Sequence, residues 1–175
     1  MISLETSVLQ WIQTNMRSAI GDFIMPFISA VGNAGAIWIA AGVGYLFAPK
    51  HRRMGMAILL ALVLELFLCN AVLKPLVGRI RPCDIDPTIA LLVPHPHDFS
   101  FPSGHTGASF AAAYVMLLGK SNLWVCAMVL AGLIAFSRLY LYVHYPTDVL
   151  AGIVLGILVG WFAWRVSAWL ERLFG

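Results

Sequence analysis

Long apolar runs separated by short polar hinges make up most of this chain. The first extends from Phe23 to about Ala48 and is interrupted at Gly32-Asn33-Ala34-Gly35, the pattern of a broken helix or of a short helix leading into a longer one. Pro49, Lys50, His51, Arg52 and Arg53 close it. The second, Met54 to Val77, carries Glu65 near its middle and Asn70 one turn before Lys74. A third begins at Gly104 and stops at Gly119, a fourth fills Leu123 to about Leu141, and a fifth goes from Val149 to roughly Ala168. About 20 apolar residues of helix cross the ~30 Å hydrocarbon core of a bilayer. The pattern therefore predicts an all-α, polytopic transmembrane helical bundle of five to six spans, with residues 1–175 as one integral-membrane domain. Ahead of the runs, Leu4, Val8, Trp11, Ile12 and Met16 share one helical face, while Glu5, Gln10, Gln13 and Arg17 lie elsewhere. Residues 1–20 are thus expected to form an amphipathic helix in the membrane interface, not a cleavable signal peptide, and a sixth crossing there would be a poor one. The prolines and polar residues of 78–101 predict a loop, with Leu91-Leu92-Val93 dipping into the interface. Gly152, Gly156 and Gly160, four apart, form a small-residue ridge that lets a neighbouring helix come close.

Composition sharpens this picture. Apolar residues are 61% of the chain and charged ones 11%, with a mean hydropathy of +0.86, which excludes an ordinary soluble domain. A net charge of +3 is too small to imply nucleic acid as a partner. Cys69, Cys83 and Cys126 are too scattered for a disulfide scaffold or zinc ribbon; Cys83, in the loop, is the one expected to be exposed. The distribution of charge says more than its sum. Alternating crossings put residues 74–105 and 137–148 on one side, and Lys50, Arg52, Arg53, Lys120, Arg165 and Arg172 on the other. By the positive-inside rule the second side is cytoplasmic. Lys74, Arg79, Arg81 and Arg138 then face outward, against the charge bias, and need another reason to be there.

That reason is sought at the hinge Ser137–Asp148, which places Arg138, His144 and Asp148 between two apolar runs. Ionisable groups in such a setting usually face a polar cavity and act there. Pro146 suits a first helical turn, so Asp148 lies in that turn with His144 just before it. The carboxylate could hold one imidazole nitrogen and leave the other free as base or nucleophile. By itself H-x-x-x-D is a common spacing. Lys74 and Arg81, about two helical turns apart, aim at one place if their path is helical, although Pro75 should bend it. Pro102-Ser103-Gly104-His105 opens a helix with unpaired N–H groups, a hydroxyl and the positive end of the dipole, a ready anion site. Fixed cations, an amide cradle and two histidines on one side are the kit for phosphoryl transfer: His144 as nucleophile oriented by Asp148, His105 as acid, and no metal or other cofactor required.

These residues make the chain resemble the type 2 phosphatidic acid phosphatases. Lys74, Arg81 and Pro82 match K-x6-R-P; Pro102 to His105 match P-S-G-H; Ser137, Arg138, His144 and Asp148 match S-R-x5-H-x3-D. The resemblance covers roughly the C-terminal three fifths. It implies a helical fold shared with vanadium haloperoxidases, a phosphohistidine on His144, and metal-independent removal of phosphate from lipids. It also implies Lys74, Arg81, Ser103, Gly104 and Arg138 as phosphate ligands, His105 as acid, and Asp148 as the group orienting His144. The short chain resembles small bacterial members acting on undecaprenyl diphosphate or phosphatidylglycerol phosphate, with the site outside the inner membrane and a lipid phosphate as the partner. A membrane anion carrier is the reading from another class; it has no need of paired His144 and Asp148, and no inverted repeat is present.

Other polar residues have plainer expectations. Taken as an isolated pair, Lys74 and Arg81 would be snorkelling anchors. Arg79 matches no signature position and is expected to be a surface anchor. His95, His97 and Asp98 lack further convincing ligands for a metal and are expected to be loop polarity. Glu65, about 13 Å along a helix from Lys74, is too far to touch phosphate and should hydrogen-bond a neighbouring helix. Asn70 is a candidate to orient Lys74. Trp38, Trp124, Trp161, Trp164 and Trp169 are expected as interface and packing residues.

Overall fold

Helix boundaries fall where caps and prolines interrupt the apolar periodicity. The computed structural model describes residues 4–174, all of whose regular elements are helical. Helix α1 is Leu4–Asn15, and Ser18 caps α2 (Ala19–Val31) by accepting a hydrogen bond from the Gly21 N–H at 3.1 Å. Residues 19–20 therefore belong to the second helix, not to an N-terminal helix of residues 1–20, whose first three residues lie outside those described. Of the expected apolar face of α1, Leu4, Val8, Trp11 and Met16 are exposed on the protein, while Ile12 is buried together with Leu9. Helix α2 is bent by 45° from the run that contains α3 (Ala36–Leu46), at a 3₁₀ turn Asn33–Gly35 in which Ala34 and Gly35 take positive φ. This is the break foreseen at Gly32–Gly35.

Helix α4 (Arg52–Leu66) continues through a π-helical stretch, Phe67–Leu73, into α5 (Lys74–Val77). Pro75 has no N–H to give to the preceding turn. The helix answers with a widened turn, in which the Lys74 N–H reaches back to Cys69 O. Helix α6 (Pro82–Ile85) is a single turn that carries Cys83 into the interior, 4% exposed; Cys126 is the exposed cysteine instead. Leu91, Leu92 and Val93, partly buried, pack against Leu9, Cys83, Leu141, Tyr142, Val143 and Tyr145 and so cover the protein's own apolar cluster.

Helices α7 (Gly104–Leu118), α8 (Trp124–Tyr140) and α9 (Pro146–Phe174) complete the bundle, with α9 packed along α7 and α4. The glycine ridge of α9 faces α7. A Cβ at 152, 156 or 160 would lie 2.7, 2.4 or 2.7 Å from the carbonyl oxygens of Ser103, Gly107 and Ala111. Gly107 and Ala111 keep the facing surface of α7 equally shallow. The run Pro49–Ile85 and helix Pro146–Leu173 are long and apolar enough to cross a membrane, and the bent pair α2–α3 is a third candidate. Only a third of each long apolar window is buried in the protein, which leaves apolar side chains such as Val63, Leu66, Leu150 and Val154 for lipid. At the end away from His144, Arg53 stacks on the Trp164 ring at 3.8 Å and Tyr45 bonds Ser121 at 2.6 Å. Trp38 is buried, its indole N–H donating to Ser109 Oγ at 3.0 Å.

Candidate active site

Close packing of α7 on α9 joins two of the matched segments directly: the Ser103 N–H donates to Asp148 O at 3.0 Å. The third arrives through the guanidinium of Arg81, which is 2% exposed and fully engaged. Its Nη1 donates to Val143 O at 2.7 Å, its Nε to Asp98 O at 2.8 Å and its Nη2 to Phe99 O at 3.3 Å. The same Nη1 lies 3.1 Å from His144 Nε2. A guanidinium has only donors, so Nε2 is the acceptor and the ring proton belongs on Nδ1. His144 sits in the turn between α8 and α9. Burial holds its pKa down to about 3, with the Asp148 contact pulling the other way and Arg81 adding to the depression. The imidazole is therefore neutral near pH 7, with the Nε2 lone pair directed toward the cations.

Asp148 is more heavily engaged than its spacing suggested. One oxygen accepts from Ser100 Oγ and, at 2.8 Å, from the Tyr145 N–H; the other accepts from Arg79 Nη1 at 2.6 Å. His144 Nδ1 is 3.5 Å from the first oxygen, too far for a hydrogen bond, and it has no partner. Orientation of His144 by Asp148 thus rests on a contact that a shift of a few tenths of an ångström would close. Arg79, expected as a surface anchor, is instead tied to the carboxylate behind His144. It also bonds Glu5 of α1 and Thr147, and lies over the Tyr145 ring at 4.0 Å.

One cavity of about 470 Å³ gathers Lys74, Arg81, Gly104, His105, Arg138 and His144. Ser103 and Asp148 form the layer behind them, both fully buried, and the Ser103 hydroxyl accepts from Thr106 Oγ1 at 2.9 Å. The first intrahelical bond of α7 runs from the Gly107 N–H to Ser103 O, so the amides of Gly104, His105 and Thr106 have no carbonyl in their own helix. His105 Nε2 meets Asn33 Oδ1 at 2.8 Å, which places the 33–35 break of the α2–α3 pair against His105. Arg138 donates to Ser29 Oγ, but its Nε has no partner, and no carboxylate pairs with it among the described residues. Lys74 and Arg81 share the carboxylate of Asp98, the latter at 2.6 Å. Burial alone would raise the pKa of Asp98, yet the two cations win and hold it at about 2.

Other expectations fare differently. Asn70 lines the cavity, but Lys74 takes Asp98 as its partner. Glu65 lines the same cavity, packs on Gly107 and leaves Oε1 unpartnered, so the expected hydrogen bond to a neighbouring helix is missing at that atom. His95 pairs with Asp84 at 2.8 Å, and the cluster that forms is Cys83, Asp84 and His95, apart from the cavity. Ser100, Arg79, Asp98, Asn33 and Ser29 are the site's neighbours that sequence reasoning missed. Only the two basic or acidic ones, lying within the predicted outer loop, carried any signal.

Away from the cations the cavity wall is apolar, formed by Ile39 of α3 and Leu59, Leu62, Val63 and Leu66 of α4. A charged end and an oily extension in one space fit an amphiphile whose headgroup is an oxyanion. Comparison with known proteins agrees. The sequence profile of the PAP2 superfamily matches residues 54–172. A Sulfolobus acidocaldarius protein named undecaprenyl-diphosphatase is 31% identical over 83% of this chain and 70% of its own length. Across the first curated relatives, the chain spans about two thirds of their length. The crystal structure of Aquifex aeolicus LpxE superposes with a TM-score of 0.75 at 28% identity, covering 93% of this chain and 96% of that one. That of a transmembrane PAP2 type phosphatidylglycerolphosphate phosphatase from Bacillus subtilis gives 0.73 at 28% identity, over 97% and 85%. With the profile covering most of the chain and the bundle shared end to end, the chain belongs to the PAP2 superfamily.

Proposed function

We propose that this protein is a membrane lipid phosphatase that takes undecaprenyl diphosphate as its first substrate and works through a phosphohistidine on His144. Hydrolysis of a lipid phosphate is the activity carried in the names of its relatives. The observation that carries the reading is Arg138, a cation 6% exposed, with no carboxylate partner among the described residues, in one cavity with neutral His144 and the open amides of α7. A buried charge left unpaired costs several kcal/mol in general, which an arriving phosphate would recover. The whole chain is read as one catalytic domain, with its site on the extracytoplasmic side because the opposite end holds the Lys50–Arg53 cluster.

In this reading the phosphate lies between Lys74, Arg81, Arg138 and the Gly104–Thr106 amides, displacing whatever anion is there. The Nε2 lone pair of His144 attacks phosphorus as the bond to the lipid oxygen breaks. His105, protonated once the negative phosphate occupies the cavity beside it, delivers that proton to the same oxygen, so lipid monophosphate leaves neutralised at the departing atom. Asp148, held by Arg79, Ser100 and the Tyr145 amide, stabilises the charge that develops on the imidazole and keeps Nδ1 protonated. Water then attacks the phosphohistidine, His105 takes the water proton, the P–N bond breaks, and phosphate departs. The cations and amides supply the transition-state stabilisation, each worth about 10²–10³ in rate, so no metal ion is needed. A carrier would have no use for the Arg79–Asp148–His144 chain.

Purified protein assayed in EDTA against undecaprenyl diphosphate, phosphatidylglycerol phosphate and phosphatidic acid is expected to release phosphate, fastest from the diphosphate. His144→Ala should abolish turnover. Full turnover by that variant would remove the nucleophile, loss of activity in EDTA would remove metal independence, and faster release from phosphatidylglycerol phosphate would reassign the substrate.

A further inference from the structure

Asp98 is out of place in a site that binds anions. Its carboxylate bridges Lys74 and Arg81, the two cations that begin the phosphate-binding set, and it lines the same cavity as His144. Nothing in the arrangement needs that carboxylate to hold Arg81. The guanidinium is already fixed by the carbonyls of Asp98, Phe99 and Val143, all of them backbone groups. The backbone around Asp98 is independently tied, because the Ser100 N–H donates to Arg79 O at 2.8 Å and Ser100 Oγ holds Asp148. Only the side chain is free to leave: it is 53% exposed, against 9% for Lys74 and 3% for Arg81. A half-exposed carboxylate on a fixed backbone thus covers two of the cations, while Arg138 has no carboxylate partner among the described residues.

We infer that Asp98 is an internal stand-in for the phosphate that weakens every oxyanion alike, so that at low concentration lipid-anchored phosphates fill the site and free phosphate does not; the inference rests on the proposed reading of the cavity as a phosphate site. Any oxyanion that enters must displace the carboxylate from Lys74 and Arg81. That cost is the same for every ligand, so it acts as a threshold. A phosphate carrying an apolar chain gains additional binding along Ile39, Leu59, Leu62, Val63 and Leu66 and clears the threshold. Inorganic phosphate has no such chain and does not. The same asymmetry acts after hydrolysis: once the lipid and its phosphate are separate, the carboxylate returns to the cations and expels the product. A covalent link between headgroup and tail is therefore what the site recognises.

The test uses full-length protein in detergent and the variant Asp98→Asn, which removes the charge and keeps the shape. Inhibition of lipid phosphate hydrolysis by inorganic phosphate and by tungstate is measured, together with tungstate binding by calorimetry in a His144→Ala background. Asp98→Asn is expected to tighten both oxyanions about tenfold, the scale of two partly exposed ion pairs. It should also lower KM for a short-chain, water-soluble phosphate ester and for the long-chain lipid by a similar factor, since the displaced carboxylate is the same for both. Asp98→Glu should restore wild-type inhibition constants; if Asp98→Asn fails to fold, Asp98→Ser gives the same readout. Oxyanion affinities unchanged or weakened in the variant would overturn the inference. If neither wild type nor variant binds tungstate, and Arg138→Ala changes nothing, the cavity is not a phosphate site and the underlying reading fails as well.

Discussion

Gly156 offers the most quantitative handle on how the fold sets the chemistry. A Cβ there would lie 2.4 Å from Gly107 O, 2.9 Å from Ala111 N and 3.1 Å from Phe110 Cβ, two of which are rigid helix backbone. Ordinary carbon–oxygen contacts begin near 3.3 Å. Gly156→Ala therefore drives α9 about 0.9 Å away from α7, since neither backbone has a rotamer to yield. The start of α9 carries Asp148 and is joined to His144, whereas the start of α7 carries the Gly104–Thr106 amides and His105. Their link, the 3.0 Å bond from the Ser103 N–H to Asp148 O, lies only two turns from residue 156. A misplacement of about 1 Å between reacting groups costs roughly 10² in rate. Overpacking at such an interface costs about 1–3 kcal/mol of stability. Gly156→Ala should thus reduce kcat for lipid phosphate hydrolysis about a hundredfold in detergent while the protein still purifies as a folded species. Gly132→Ala, where a Cβ meets nothing within 4 Å, is the control and should stay within about twofold of wild type. If Gly156→Ala retains wild-type kcat, the claim that α7–α9 spacing sets the reacting geometry is wrong.

Arg79→Ala should lower kcat about tenfold with KM little changed, because Asp148 loses its guanidinium partner while the proposed phosphate ligands stay; Arg79→Lys should recover part of the loss, and an effect confined to KM would contradict a role behind His144. The depressed pKa of His144 makes a signed prediction for stability. Between the unfolded value near 6.5 and the folded value of about 3, the unfolded chain binds the proton and the native one does not, so stability is lost as pH falls through that window. From pH 7 to pH 4.5 the residue's share of the loss is about 2–3 kcal/mol, and His144→Gln should show a correspondingly smaller fall in apparent Tm; equal falls in both proteins would refute the buried neutral imidazole.

The parts of this site visible in the sequence are those whose residue type is expensive in a membrane. Lys74, Arg81 and Arg138 stand out from an apolar background on the side where basic residues are not expected, and His144 with Asp148 marks a helix start. The glycine ridge was equally legible, since four-residue spacing has a direct packing meaning. What the sequence hid was partnership across elements. Arg79 differs from Arg81 by one pair of residues and looked like an anchor, yet the turn from Gly78 to Pro82 aims it at Asp148 while Arg81 turns to His144. Local period and composition do not encode which way successive residues of an irregular loop point. Ser100 and Asn33 are common loop residues whose role depends entirely on what lies beside them, at separations of 48 and 72 residues.

The same distinction explains why the candidate catalytic groups sit on helix starts and hinges and the proposed substrate wall on helix sides. Within the membrane a side chain on a helix flank meets lipid or another apolar flank, so Ile39, Leu59, Leu62, Val63 and Leu66 build a wall for an acyl or prenyl chain with no special chemistry. Unpaired amides, buried cations and a neutral imidazole are tolerated only where the backbone ends and polar partners are dense, as at Gly104 and between Tyr142 and Pro146. A phosphatase for lipids needs both environments within one headgroup's length. The bundle meets that need by ending α8 and starting α7 and α9 around one cavity whose lower wall is already in oil. In the proposed reading the reacting phosphorus is held by charge at one end and by the depth of its tail at the other, and the tail is what lets a lipid phosphate, unlike the product that has lost its anchor, displace the Asp98 carboxylate.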